Sequence, residues 1–551
     1  MTDRVSIEPA VGVKVKNPCC GVLFALSLVV LSGCARSVEP DAAAVACSAL
    51  TGKVLSHGIV KQATPVTAGQ SMSLAGVDDK VVAPFGFCRI EATLRSEPGS
   101  EIQSLYWLPM KPSWNGKFVG LGNGGFGGVI QEAHMFPALR QGFAVAATDM
   151  GHPASFPQNL APMNGKWAYQ QPVKVLDWAY RANHLTAATG KELIDAHFGQ
   201  KPKRSYFHGC SDGGREALMQ AGRYPDDYDG IIAGAPAAAF TDLMAHAQWN
   251  NRQAVPTQLT EEKLDRLHAE VLDRCDALDG AKDGLLESPS ACRFDPEVLS
   301  CKPGDDPKRC LTGAEVEAVR ATYRGPRTAD GQQLSAGFSP GSEYKEGWSL
   351  WITGPTLPLV GTVKSMTGGS LLSTDFFRWM VHADPDWERE RFDLDKDLPL
   401  ARQRLAATIN SDQLDMTPFF ARNGKLMLYH GWSDAALPPM NTVRYFERLQ
   451  ARHADAATQQ LRLFMAPGMG HCMGGPGPSV FDALDAMDRW TEGGPPPEQM
   501  VATKFDKDAA GALGQTAKVQ RTRPLCAWPK VARWTGQGSI DAAENFSCQT
   551  P

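Results

Sequence analysis

The sequence predicts an α/β fold in which a mostly parallel β-sheet carries a large inserted lid domain. Short apolar runs bounded by glycine alternate with segments of helical periodicity, a pattern typical of parallel sheets with crossover helices. The interval 237–420 differs from both flanks because it is rich in aromatic residues and contains an acidic loop. The chain of 551 residues also exceeds what one compact core usually holds, so a second lobe is expected.

The sequence of residues 1–34 predicts a targeting segment that is not part of the fold. Two lysines precede the apolar run GVLFALSLVVLSGC, which is too short to span a bilayer comfortably. The run ends in LSGC, which resembles the lipobox of bacterial lipoproteins, with Cys34 as the lipidated residue. A plain secretory signal is the alternative, and residues 35–46 are interpreted as a tether. Both readings predict export, as a periplasmic or outer-membrane lipoprotein or as a secreted protein.

Four runs are the predicted strands of the core, which we place at residues 47–236 and 421–551. These runs are GKFVGLGNGG at 116–125, KRSYFHG at 203–209, GKLMLYHG at 424–431 and LRLFMAPG at 461–468. Helical patterns, including GGREALMQAGRY and NTVRYFERLQARH, lie between them. The lid, 237–420, would therefore be an insertion between two core strands.

A serine follows the strand at 203–209 within GCSDG, which fits the pattern G-x-S-x-G. In that pattern a strained strand-to-helix turn lifts the serine hydroxyl clear of the sheet, and glycines are needed because side chains would clash. The pattern alone is weak, but the flanking strand and helix strengthen it. We therefore predict Ser211 as a nucleophile.

An acid and a base follow the two later strands in the order that an α/β-hydrolase core requires, Ser, Asp, His. Asp434 comes after the first of them and His471 after the second. A serine hydroxyl needs a base to take its proton, so His471 is the predicted base and Asp434 the group that orients it. The alternatives are His430 and His208 as bases and Asp149 and Asp229 as acids.

A hydrolase of this type also needs backbone N–H donors for the oxyanion. The residue after the nucleophile, Asp212, is expected to supply one. The glycine-rich loop GLGNGGFGG (120–128) is expected to supply the other, from Gly125 or alternatively Gly124.

Ten of the 13 cysteines lie beyond the leader, and an even number in an exported chain indicates disulfides. Cys210 and Cys472 are far apart in sequence, whereas the others are closely spaced. Buried free thiols are the alternative. Spacing favours four local pairs: Cys47 with Cys88, Cys275 with Cys292, Cys301 with Cys310, and Cys526 with Cys548.

Three carboxylates, Asp276, Asp279 and Asp283, crowd a glycine-containing loop between two of these cysteines. Oxygen ligands of this kind suit calcium, and the carbonyls of Ala281 and Leu285 could complete its coordination. The spacing is not that of an EF-hand. A solvated acidic turn is the alternative.

The motifs GCSDGG and GMGHC, with Asp434, CDALDG and RTRPLC, resemble the tannase and feruloyl esterase family over nearly the whole mature chain. The resemblance implies an α/β-hydrolase core with a lid, a triad of Ser211, Asp434 and His471, and a disulfide between Cys210 and Cys472. It also implies structural calcium at the acidic loop.

The expected activity is therefore that of an exported serine carboxylesterase for esters of phenolic acids. Hydrolysis of a terephthalate monoester is an alternative, as is an inactive hydrolase fold that serves as a surface binding module. The net charge of −5 without a basic stripe predicts no nucleic-acid partner. Membrane association would come only through a lipid anchor.

The lid is expected to determine which acyl groups of ester substrates are accepted. Trp351 matches a position that packs on the substrate in the terephthalate-hydrolysing relatives. The other aromatic residues are interpreted as the core of the lid: Trp348, Phe376 and Phe377. Those relatives also hold the free carboxylate with a lid arginine. The corresponding stretch here, TVKSMTGGSLLST, has no arginine, with Lys364 inside it and Arg378 after it. A neutral phenolic acyl group needs no such cation.

Overall fold

A ten-stranded mixed sheet organises the molecule. Its strands lie in the order β1-β2-β5-β6-β8-β7-β9-β10-β13-β14. The computed structural model describes residues 42–74, 77, 79–153, 162–251, 259–357 and 361–551. The strands are β1 (Val54–Leu55), β2 (Gly58–Val66), β3 (Ser71–Met72), β4 (Val81–Val82), β5 (Phe87–Leu94), β6 (Ile102–Pro109), β7 (Lys117–Leu121), β8 (Ala144–Thr148), β9 (Arg204–Cys210), β10 (Gly230–Gly234), β11 (Thr356–Leu357), β12 (Gly361–Thr362), β13 (Lys425–Gly431), β14 (Leu461–Ala466), β15 (Gln499–Phe505), β16 (Val519–Cys526), β17 (Val531–Trp534) and β18 (Phe546–Gln549).

Helices cover both faces of this sheet, and shorter 3-10 and π-helical turns connect many of them. None of the helices in the described ranges is long and apolar enough to cross a membrane. The α-helices are α1 (Ala42–Ser48), α2 (Glu132–Arg140), α3 (Pro172–Leu176), α4 (Ala182–Phe198), α5 (Asp212–Arg223), α6 (Phe240–Trp249), α7 (Glu261–Cys275), α8 (Gly313–Arg324), α9 (Lys345–Trp348), α10 (Gly368–Asp375), α11 (Leu394–Ala401), α12 (Ala407–Ile409), α13 (Thr417–Ala421), α14 (Pro439–Arg452), α15 (Ala454–Gln460), α16 (Ala483–Thr491) and α17 (Asp508–Ala512).

The sheet has a parallel half and an antiparallel half. The strands β8, β7, β9, β10, β13 and β14 run parallel to their neighbours, and these include all four strands expected from the sequence. The strands β1, β2, β5 and β6 pair antiparallel, and β6 joins the parallel half through an antiparallel pairing with β8. Short connections suffice for antiparallel neighbours, whereas parallel neighbours need crossovers. The α/β class is confirmed, with a more mixed sheet than expected.

Alternate residues of the central strands enter opposite hydrophobic layers. Leu426 and Leu428 of β13 pack into the layer beneath α4, α5 and α14, while Met427 and Tyr429 pack into the layer beneath α2 and α16. Every residue of β13 is buried. A central strand covered on both faces reads as a continuous apolar run, which is why this strand is recognisable in the sequence.

The long insertion begins and ends at adjacent strands. The chain leaves the sheet after β10 and returns in β13, which pairs with β10 in parallel from Gly230 with Lys425 onward. Between them the chain forms a hydrophobic cluster of its own around Trp348, Leu267 and Val319. The described residues from 42 onward nevertheless form one compact unit. The predicted leader, 1–34, and the tether up to residue 41 lie outside the described residues.

Candidate active site

Ser211 occupies the sharp turn between β9 and α5. Its backbone has φ 66° and ψ −121°, a conformation that a residue with a side chain adopts only under strain. The turn is too tight for side chains on either flank, since a Cβ on Gly209 would lie 2.3 Å from the carbonyl oxygen of Gly213. A Cβ on Gly213 would lie 2.7 Å from the carbonyl oxygen of Asn123. The two glycines of the motif are therefore required by close backbone approach.

A continuous hydrogen-bond chain joins the three residues predicted from strand order. The hydroxyl of Ser211 donates to Nε2 of His471 over 2.9 Å. Nδ1–H of His471 donates to Oδ2 of Asp434 over 2.8 Å. The turns that follow β13 and β14 bring the acid and the base to the end of the sheet where the serine lies. The geometry is that of a nucleophile, a base and an orienting acid.

Asp434 is completely buried, yet its carboxyl is held ionised. Burial alone would raise its pKa, but the facing His471 and His430 and the hydrogen bonds from them lower the pKa well below its usual range. Oδ1 accepts the backbone N–H groups of Ala436 and Leu437, at 2.7 and 2.9 Å. The acid therefore has four donors, of which the sequence revealed one.

The alternative bases and acids lie elsewhere. His208 contacts the hydroxyl of Tyr429 at 3.4 Å. Asp149 accepts an N–H group of β6, and Asp229 accepts one of β9. His430 contacts Asp434 rather than Ser211, at 3.1 Å. Among the four, only His430 belongs to the hydrogen-bond network of the site.

The loop after β7 lies beside the N-terminus of α5, as expected of an oxyanion hole. Within the described part of the chain, the N–H groups of Asp212, Gly124 and Gly125 have no protein acceptor. Gly125 has φ 58°, and a Cβ there would lie 2.2 Å from the carbonyl oxygen of Pro162. Free backbone donors near the nucleophile suit a developing oxyanion, and both candidate glycines of the loop remain open.

A buried glutamate that the sequence did not single out supports this loop. Oε2 of Glu216 accepts the N–H of Asn123 at 3.0 Å and the side-chain amide of Asn183 at 2.9 Å. Burial, with the negative charge of Asp212 adding to it, raises the pKa of Glu216 to about 8. The side chain is thus largely protonated at neutral pH. No motif in the sequence indicated that Glu216 supports the loop after β7.

Trp351 is the lid aromatic that contacts the site. Its ring lies edge to face against the ring of His471, with centroids 5.0 Å apart. By contrast, Trp348, Phe376 and Phe377 are fully buried in the packed interior. Gly368 leaves space for the indole, since a Cβ there would lie 2.6 Å from the ring of Trp351.

All ten cysteines beyond the leader are paired as expected. Cys210 and Cys472, which flank the nucleophile and the base, are bonded with Cα atoms 5.9 Å apart. The other disulfides are Cys47–Cys88, Cys275–Cys292, Cys301–Cys310 and Cys526–Cys548.

The three carboxylates of the acidic loop are buried, whereas Leu278 between them is exposed. Oxygens of Asp276 accept backbone N–H groups at 2.9 and 3.2 Å, and Asp279 and Asp283 also accept backbone N–H groups. Asp283 additionally pairs with Arg523 of β16, a contact not foreseen from the sequence. Burial, with both neighbouring aspartates adding to it, raises the pKa of Asp279 to about 6.

The acidic loop contains oxygen donors of the types expected for calcium, but its side chains do not form a cluster around one point. In the described ranges, no group of three or more His, Cys, Asp or Glu side chains is arranged to hold a metal ion. The carbonyls of Ala281 and Leu285 lie in the same buried loop. The donor set therefore fits calcium in chemistry, whereas the side chains are arranged around backbone N–H groups.

A hydrogen-bonded Ser–His–Asp chain at the carboxyl ends of parallel strands is the arrangement of an α/β-hydrolase, and the protein is a carboxylic ester hydrolase. The chain belongs to the tannase and feruloyl esterase family, whose model matches residues 88–549.

Two curated relatives and one solved structure extend this result. An uncharacterized esterase of Xanthomonas campestris is 37% identical, over 92% of this chain and 91% of that protein. A mono(2-hydroxyethyl) terephthalate hydrolase of Piscinibacter sakaiensis is 31% identical, over 84% of this chain and 85% of that protein. The crystal structure of feruloyl esterase B from Aspergillus oryzae superposes with a TM-score of 0.81 at 29% identity, over 92% of this chain and all of that one.

Proposed function

We propose that this protein is an exported serine esterase that hydrolyses esters of phenolic acids through an acyl-enzyme. The observation that carries the proposal is the hydrogen-bond chain from Ser211 through His471 to Asp434. Family membership and the feruloyl esterases among the relatives support the substrate class.

In the first half-reaction, Oγ of Ser211 attacks the ester carbonyl carbon while Nε2 of His471 takes the hydroxyl proton. The carbonyl oxygen becomes an oxyanion, which accepts hydrogen bonds from the N–H groups of Asp212 and Gly125. Asp434 stabilises the imidazolium that forms. Collapse of the tetrahedral intermediate breaks the bond to the leaving alkoxide, which receives the proton from His471.

In the second half-reaction, water attacks the acyl group on Ser211 and gives a proton to His471. The second tetrahedral intermediate collapses, Oγ of Ser211 leaves and regains that proton, and the carboxylic acid is released. Trp351, whose ring packs on His471, would lie against the aromatic part of the acyl group.

The charge of the lid favours a neutral acyl group over a terephthalate monoester. No arginine occurs in 362–374, and Nε–H of Arg378 already donates to the carbonyl oxygen of Trp387 over 2.8 Å. The side chain of Lys364 lies outside the described residues. Terephthalate monoester hydrolysis remains the second candidate because of the relative from Piscinibacter sakaiensis.

Two measurements test these assignments. An active-site-directed phosphonate should label Ser211, as located by mass spectrometry, and Ser211→Ala should abolish turnover. A protein that resists labelling and turns over no ester would instead be a binding module built on an inactive fold.

Turnover of methyl ferulate, methyl gallate and mono(2-hydroxyethyl) terephthalate should be compared side by side. Faster turnover of the terephthalate ester would overturn the preference for phenolic acids.

We also propose structural calcium at the acidic loop. The three carboxylates and the carbonyls of Ala281 and Leu285 are oxygen donors of the kind calcium prefers, and burial crowds their negative charge. Chelation with EDTA should lower Tm, and calcium should restore it better than magnesium. The variant Asp279→Asn should lose that response. An unchanged Tm in EDTA would contradict the proposal.

Export is proposed from the cysteine chemistry. Disulfides persist in oxidising compartments, and this chain carries five. Fractionation of the native host, with mass spectrometry of the mature N-terminus, would separate a lipid on Cys34 from a plain signal cleavage. Recovery of the protein in the cytoplasm with its leader intact would refute export.

A further inference from the structure

Asp434 is shared by two histidines. Oδ2 accepts Nδ1–H of His471 at 2.8 Å and Nε2–H of His430 at 3.1 Å. His430 and Asp434 are both essentially excluded from solvent, with 1% and 0% of their side chains exposed. In so dry an environment a charge-assisted hydrogen bond is strong and costly to lose.

The network continues away from the nucleophile. Nδ1 of His430 contacts Oγ1 of Thr442 at 2.8 Å, and Thr442 is buried in α14. The threonine hydroxyl can donate to Nδ1 when Nε2–H of His430 donates to the carboxylate. The contact with Thr442 is therefore compatible with the tautomer in which His430 donates to Asp434.

We infer that His430 is a positioning residue that holds the acid of the triad in register with His471. The inference rests on the proposed function, since it concerns the same triad. A carboxylate can rotate about its Cβ–Cγ bond, and rotation would turn Oδ2 away from His471. The backbone N–H groups of Ala436 and Leu437 hold Oδ1, and His430 holds Oδ2, so both oxygens are constrained.

A cavity gives separate access to this network. It has a volume of about 210 Å³, and His430 and Thr442 line it together with residues that include Ser335 and Asn441. Neither Ser211 nor His471 is among its lining residues. The space is several times the share of one water molecule, about 30 Å³, so it admits an imidazole ring. In His430→Ala the space vacated by the ring would join this cavity, which provides room for added imidazole outside the esterase site.

The test is His430→Ala with added imidazole. We expect kcat to fall about 10- to 100-fold with KM within about 2-fold, because orientation of the reacting groups is lost while substrate contacts remain. Imidazole should restore kcat in this variant and leave the wild type unchanged. His430→Gln, whose amide N–H can replace Nε2–H, should keep most of the wild-type kcat. Thr442→Val should lower kcat by a few-fold.

His208→Ala is the matched control, since His208 lies on β9, separated from β13 by β10, and its hydrogen bond in the described ranges goes to Tyr429 and to no triad residue. Its kcat should not respond to imidazole. A His430→Ala variant with wild-type kcat would overturn the inference, as would a loss that neither imidazole nor His430→Gln repairs. Failure of the proposed function is distinguishable, because it would show as absence of ester turnover by the wild type or as turnover by Ser211→Ala.

Discussion

Trp351 of the lid lies edge to face on the imidazole of His471, with ring centroids 5.0 Å apart and planes at 71°. The insertion therefore contacts the proposed base itself. Such aromatic contacts contribute about 0.5–1.5 kcal/mol beyond the area they bury. If Trp351 also packs on the acyl group as proposed, one side chain would join substrate recognition to orientation of the base.

Replacement of Trp351 by alanine should raise KM for methyl ferulate about 10-fold and also lower kcat, because the acyl group and His471 both lose a contact. The measurement is steady-state kinetics on methyl ferulate and on an aliphatic methyl ester. Trp351→Phe is the conservative control and should retain most of both parameters. An equal loss on the two esters would argue against a role in recognising the aromatic ring.

Gly125→Ala should lower kcat about 100-fold or more, because the new Cβ would collide with the carbonyl oxygen of Pro162 and displace the proposed oxyanion donor. Gly69→Ala is a matched control, since Gly69 also has positive φ, +80°, but has open space around it. The control should lose some stability and keep its kcat. Equal kcat in the two variants would remove Gly125 from the oxyanion hole.

The double variant Cys210→Ser/Cys472→Ser should lose about 100-fold in kcat, because the serine and the histidine come from distant parts of the chain and small displacements are costly. The control is Cys301→Ser/Cys310→Ser, which opens a disulfide of sequence separation 9 that joins no proposed catalytic residues. It should lower Tm more than it lowers kcat. Full activity of the first double variant would refute the positioning role of its disulfide.

Glu216 should make stability fall as pH rises. Its pKa is raised from 4.5 to about 8 in the folded protein, so between these values the folded state binds more protons than the unfolded state. Stability contributed by the protonated carboxyl is therefore lost progressively above pH 4.5.

Between about pH 5 and about pH 8 the carboxyl of Glu216 changes charge. The Tm of Glu216→Gln should therefore fall less over this range than the Tm of the wild type. Its amide can still accept the N–H of Asn123. Glu447→Gln, at an exposed position of α14, should follow the wild type. Parallel Tm curves for wild type and Glu216→Gln would show that the carboxyl does not titrate in this range.

The strands and the triad were predictable because their signals are local. β13 is a buried apolar run bounded by glycine, and the motif around Ser211 requires glycines within two residues of it. The order of the acid and the base follows from the order of strands along the chain. Each of these features can be recognised without knowledge of distant contacts.

The remaining features depend on contacts between distant residues. Arg523 meets Asp283 across 240 positions, and Glu216 meets Asn123 across 93. No spacing rule links such pairs. The antiparallel half of the sheet was not foreseen, because β1 has only two residues and the pairing of the longer strands β2, β5 and β6 depends on contacts across strands.

The bond between Cys210 and Cys472 closes a covalent ring over a sequence separation of 262, and the whole insertion between β10 and β13 lies within that ring. A single proteolytic cut in the lid would open the ring without dividing the molecule. The fragment with Ser211 and the fragment with His471 would stay linked until the disulfide was reduced. The lid can therefore be nicked while the two halves of the catalytic centre remain one covalent species.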